Sequence, residues 1–184
     1  MKNQYQLFLT ERFKVKGWFS FLDIDQEHVC NYPRNLIQQK MKQMKYQIET
    51  TIEIDASPAK VWRIFSNFKN YPKWNPFIAS LTGEVKVGEI IHVDLNTMKF
   101  KPRVLKFDQN QELRWKGKLF IKGLFDGEHY FQLIANQNGT TTFIHGENFG
   151  GILVRLLRKK LDTEVKEGFQ EMNMALKVEV EKAI

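Results

Sequence analysis

The C-terminal segment most constrains what this chain can fold into. From Ile152 to about Lys182 there is no proline and a single glycine, and Leu153, Leu157, Leu161, Val165, Phe169, Met172, Leu176 and Val180 recur at steps of three or four. That spacing draws one apolar stripe along a long helix. Gly168 sits inside it at a cost of about 1 kcal/mol relative to alanine, so a close approach by another group is expected there. A lone amphipathic helix must bury its stripe, and the rest of the main body reads as strands and short helices. The expected class is therefore α+β, a curved antiparallel sheet of about seven strands wrapped around the C-terminal helix, with a cleft between them.

The sheet begins abruptly. Tyr46, Ile48, Thr50, Ile52 and Ile54 alternate with Gln47, Glu49, Thr51 and Glu53, the pattern of an antiparallel strand with one wet face. Ser57 is the expected N-cap of a short helix that has Pro58 at its first position and runs to about Ser66, with Val61, Trp62, Ile64 and Phe65 as core. Pro72 and Pro76 then restrict the next segment to a kinked short helix or a compact loop. Strands are predicted near Ile78–Val85, Glu89–Asn96, Lys99–Phe107, Glu112–Phe120, Glu128–Ala135 and Thr140–Phe149, punctuated by Gly88, Asn110, Gly123 and Gly127. Residues 1–43 carry Phe8, Phe13, Trp18, Phe19 and Phe21 without helical or strand spacing. They are expected to be a dispensable N-terminal extension, not native (read from a start upstream of a natural one at Met44) or poorly ordered, ahead of a domain covering 44–184; a short peripheral helix or membrane-surface anchor is the competing reading.

Composition excludes several classes. Cys30 is the only cysteine, so an internal disulfide and a four-cysteine zinc site are ruled out, which suits a reducing, cytoplasmic setting. The net charge of +7 invites a nucleic-acid reading, but residues 1–43 hold seven of the 28 basic and four of the 21 acidic side chains. That leaves the main body at only +4, and no nucleic-acid partner is expected. Arg155, Arg158, Lys159 and Lys160 form the one dense basic run. No apolar run approaches the roughly 20 residues of a membrane span. There is no Ser-His-Asp order, Gly-rich phosphate loop or paired-cysteine motif, so no cofactor and no metal are assigned.

Ile52 to Trp62, followed by Asn70-Tyr-Pro-Lys-Trp-Asn-Pro-Phe77, resembles the opening of the START-like (SRPBCC) superfamily in its bacterial polyketide cyclase/dehydrase-like branch. Leu124 to Phe131, Phe143-Ile-His-Gly-Glu147 and Gly168 to Asn173 resemble one uncharacterised subgroup of that branch. The resemblance implies a helix-grip architecture with a hydrophobic pocket between sheet and C-terminal helix. Its members include lipid and hormone carriers, aromatase/cyclases and chaperone activators, so fold alone does not select a function. Residues 1–43 have no counterpart in it.

The hairpin at Gln137-Asn-Gly139 fixes which side chains share a face. A three-residue loop with Gly139 in the left-handed region pairs Asn136 with Thr140, and hence Leu133 with Phe143, Phe131 with His145 and His129 with Glu147. A two-residue loop would put His129 and Glu147 on opposite faces. The first is preferred because it gathers Phe131, Leu133, Phe143 and Phe149 on one apolar side. Three readings of His129, His145 and Glu147 stay open: a satisfied structural network, recognition of a ligand's polar head, or acid/base catalysis by a histidine that Glu147 orients. A metal site is the least favoured. Trp74 and Trp115 are candidate pocket walls or core, with Trp115 alternating inward between Arg114 and Lys116. Asn75 either caps the loop backbone or points into the mouth. Phe149, Phe169 and Met172 complete the candidate lining.

The expected function is binding of a hydrophobic small molecule, lipid-like or aromatic, as carrier or sensor. A cyclase or dehydratase using a pocket histidine is the alternative, and a protein-interaction module the second. The sequence assigns no oligomeric state.

Overall fold

The computed structural model describes residues 46–95, 98–119 and 124–182. The expected extension over 1–43 and the proposed start at Met44 lie outside the described residues. Strand β1 (Tyr46–Ile54) leads into helix α1 (Pro58–Phe65), a 3-10 turn (Phe68–Asn70) and a one-turn helix α2 (Tyr71–Trp74). Seven strands follow: β2 (Ser80–Thr82), β3 (His92–Asp94), β4 (Lys99–Phe100), β5 (Arg103–Asp108), β6 (Glu112–Leu119), β7 (Phe125–Ala135) and β8 (Thr141–Gly150). The chain ends in α3 (Val154–Lys160), a π-helical turn (Leu161–Val165) and α4 (Lys166–Lys182).

The main sheet is antiparallel in the order β1-β8-β7-β6-β5, and β2-β3-β4 form a second, smaller sheet. Helix α4 lies against β1, β8 and α1. Between them lies the larger core, which includes Ile54, Phe65, Leu113, Phe131, Phe143, Met172, Leu176 and Val180. A second cluster of Ile48, Phe125, Phe149, Leu153, Val154, Leu161 and Phe169 fills the other end of the sheet. This is the helix-grip arrangement expected from the sequence.

Gly168 behaves as its placement predicted: a Cβ there would stand 2.7 Å from the Phe77 ring, so the glycine admits that ring against α4. Several local expectations need correction. Ser57 occupies the expected N-cap position in extended backbone, with its carbonyl accepting from the amides of Lys60 and Val61, but its hydroxyl makes no cap. The strand expected over Lys99–Phe107 is two strands, since Pro102 has no N–H to offer a ladder and the chain steps from one sheet to the other there. The segments expected at Ile78–Val85 and Glu89–Asn96 shrink to three-residue strands, and Asn96 lies outside the described residues. The single C-terminal helix is divided by the π-helical turn.

Candidate functional site

The hairpin loop sets the site. Gly139 has φ +87°, its amide reaches the Asn136 carbonyl at 3.1 Å, and the Asn136 amide reaches Thr140 at 2.9 Å. The three-residue loop is therefore the one adopted, and His129 faces Glu147, Phe131 faces His145 and Leu133 faces Phe143. Adding β1 and β6 extends these pairs into two rows on the inner face of the sheet. One runs Thr50, His145, Phe131, Leu113 and the next Ile48, Glu147, His129, Trp115.

Across the rows runs a chain of hydrogen bonds. Glu147 Oε2 lies 3.2 Å from His129 Nδ1, His129 Nε2 lies 2.7 Å from His145 Nε2, and His145 Nδ1 lies 3.0 Å from Asn173 Oδ1 on α4. Asn173 Nδ2 donates to the Thr50 hydroxyl at 3.0 Å, and that hydroxyl donates to the His145 carbonyl at 3.2 Å. The walls are aromatic. Phe169 stacks on His145 with centroids 3.8 Å apart, Trp115 stacks on His129 at 5.2 Å, and Phe131 lies within 4.7 Å of both imidazoles.

The chain can be read for protons. With its amide nitrogen committed to Thr50, Asn173 presents to His145 an oxygen that only accepts, so His145 Nδ1 carries a proton. Burial, reinforced by the neighbouring His129, holds the His145 imidazole well below the ordinary histidine range, so it is neutral and its Nε2 is bare. His129 Nε2–H must then donate to it. His129 Nδ1 lies within hydrogen-bonding reach of Glu147 Oε2. The chain thus runs from Glu147, whose side chain is 19% exposed, to the fully buried His145. Gly127, opposite Phe149 on the next strand, makes the carboxylate's seat, because a Cβ there would overlap Glu147.

The two ring nitrogens that face each other are bonded directly, and among the described residues no three ligating side chains are arranged to hold a metal. What the arrangement can do chemically is present a hydrogen-bond donor or acceptor at Glu147–His129 and pass a proton along an oriented imidazole pair.

The family described as polyketide cyclase / dehydrase and lipid transport matches residues 45–181. The chain belongs to that family. No curated protein sequence matches it. A START superfamily protein from Mycobacterium smegmatis shares the fold at TM-score 0.58 and 20% identity, over 75% of this chain and 99% of that one. An aromatase/cyclase from Streptomyces sp. R1128 does so at 0.59 and 14%, over 75% and 94%. A norcoclaurine synthase from Thalictrum flavum does so at 0.61 and 13%, over 76% and 96%. These likenesses establish a START-like fold for this member of the polyketide cyclase / dehydrase and lipid transport family.

Of the residues singled out from the sequence, His129, His145, Glu147, Trp115, Phe131 and Phe169 come together as described. Met172 packs in the larger core and Phe149 in the second cluster, beside Phe125 and Tyr46. Asn75 caps its loop: its Oδ1 accepts from the amides of Phe77 at 2.9 Å and Ile78 at 2.8 Å. Trp74 packs edge-on against Tyr71 at 5.0 Å. Sequence reasoning missed Thr50 and Asn173. Thr50 has inward parity on β1, and Asn173 lies one turn beyond Phe169 beside the apolar stripe, so each is a polar residue at an apolar position.

Proposed function

We propose that this domain binds a hydrophobic small molecule, lipid-like or aromatic, whose polar group meets the Glu147–His129 pair. The supporting observation is the polar chain itself, threaded through aromatic walls and ending at a carboxylate that is 19% exposed. For stability alone, well-packed apolar residues would serve as well as a buried ionisable pair, so the pair argues for a role in recognition. The proton order of the chain favours one second reading, acid/base chemistry of the cyclase or dehydratase type, with His129 as the group that touches substrate and Glu147 and His145 orienting it.

Native mass spectrometry of the purified protein, followed by titration with a fluorescent fatty-acid analogue and with an aromatic dye, tests the binding. A co-purifying compound or saturable binding is expected. Glu147→Gln, which keeps a hydrogen-bonding group at Nδ1 of His129, should change the affinity at least about fivefold while leaving the unfolding midpoint nearly unchanged. Absence of any co-purifying molecule together with no saturable binding of either probe would overturn the reading.

A further inference from the structure

Helix α3 presents a face that the ligand site does not use. Ile152, in the turn before the helix, and Arg155, Leu156 and Lys159 are spaced by three and four residues and so share one side. All four are exposed, Leu156 to 57% and Ile152 to 39%. The opposite side, Leu153, Val154 and Leu161, is buried in the second cluster, so the helix is anchored with this face outward. From Ile152 to Leu161 the chain has four cations and no acid. The acids begin at Asp162, which takes a hydrogen bond from the Tyr46 hydroxyl and lies 3.9 Å from Arg158. Arg158 lies over the Tyr46 ring at 5.1 Å, which turns it away from the exposed face. Within the π-helical turn Glu164 is half-buried, and beyond it Lys166 and Glu167 are both exposed.

We propose that this face docks on an anionic lipid bilayer. The charge pattern selects a negative partner, and the two aliphatic side chains beside the cations select one with an apolar layer beneath its charges. Duplex nucleic acid offers phosphate to Arg155 and Lys159 but nothing to Leu156 and Ile152. Docking would set the second cluster, and through Phe169 the histidines, at the membrane side of the molecule. The inference stands apart from the ligand reading, because vesicle binding is measured without any cargo.

The test is flotation of the full chain with vesicles of phosphatidylcholine alone and of phosphatidylcholine with phosphatidylglycerol at moderate salt. Binding to the anionic vesicles and not to the neutral ones is expected, weakening as salt rises. The double variant Arg155→Glu/Lys159→Glu should weaken binding at least about tenfold. Leu156→Ser should weaken it several-fold with the net charge intact. Both changes lie on exposed positions, and unchanged circular dichroism would show that folding is kept. Failure of the natural chain to bind anionic vesicles would overturn the proposal, as would binding insensitive to both variants. Duplex DNA binding of equal strength that ignores Leu156→Ser would assign the face to nucleic acid instead.

Discussion

Removing the buried imidazole at position 145 should change how stability depends on pH. In the folded protein burial keeps His145 neutral, with the nearby His129 adding to the effect, whereas in the unfolded chain the imidazole takes up a proton near pH 6.5. The unfolded state therefore binds more protons below that value. Stability from this group is fully present above about pH 6.5 and is lost as the pH falls toward the depressed folded value. The loss is about 1.4 kcal/mol per pH unit, or about 2 kcal/mol between pH 7 and pH 5. A single substitution would orphan Asn173, so the perturbation is the double variant His145→Phe/Asn173→Leu, which removes both partners of the 3.0 Å bond; it also takes the acceptor from His129 Nε2, so pH slopes and not absolute stabilities are compared. Urea unfolding followed by tryptophan fluorescence at pH 7, 6 and 5 measures it. Wild type should lose about 2 kcal/mol more than the double variant over that range. Parallel pH profiles for the two proteins would mean that His145 is not held neutral, and the proton assignment along the chain would fall with it.

Three further outcomes are expected, all read by chemical denaturation. Gly168→Ala should destabilise by about 1 to 2 kcal/mol despite alanine's better helix propensity, because the new methyl would press on the Phe77 ring at 2.7 Å; a stabilised variant would refute that contact. Tyr71→Phe should leave stability unchanged or raise it by about 1 kcal/mol, since the fully buried hydroxyl has no hydrogen-bond partner and burial pushes its acidity far down; a loss above about 1 kcal/mol would reveal a partner. Leu161→Ala and Met172→Ala, at positions 1% and 0% exposed, should each cost about 2 to 5 kcal/mol, and under 1 kcal/mol for both would displace the apolar stripe.

Much of the site was legible because β-structure has parity. Once Gly139 assigned a three-residue loop, counting outward placed His129 against Glu147 without any tertiary information. Thr50 and Asn173 were not legible in the same way, since their partnership depends on where α4 crosses β1, and no local spacing encodes that. Pro102 could have divided the strand around it, but the flanking residues read as strand on both sides. The π-helical turn left a trace that is clear afterwards. Leu153, Leu157, Leu161, Val165 and Phe169 are separated by four successive steps of four, and in a regular α-helix each step drifts about 40°, roughly 160° in all. A stripe that still faces one core must be underwound somewhere, and Leu161–Val165 is where.

Phe131, His145, Phe169 and Met172 have no exposed surface at all. For the ligand proposed above, arrival between the sheet and α4 therefore begins with displacement of rings that already touch one another. The protein would bind through a minor, opened population, and the observed affinity would be the intrinsic one reduced by the fraction open. Association rates should then rise with ligand concentration and level off at the rate of opening. Of the two sheets, the small one is the less extensively paired. The strands of the small sheet share three and two residue pairs, and the segment between β2 and β3 meets Pro102 and β5 through main-chain bonds from Ile91 to Pro102 and from Gly88 to Val104, whereas β7 and β8 are locked over ten pairs.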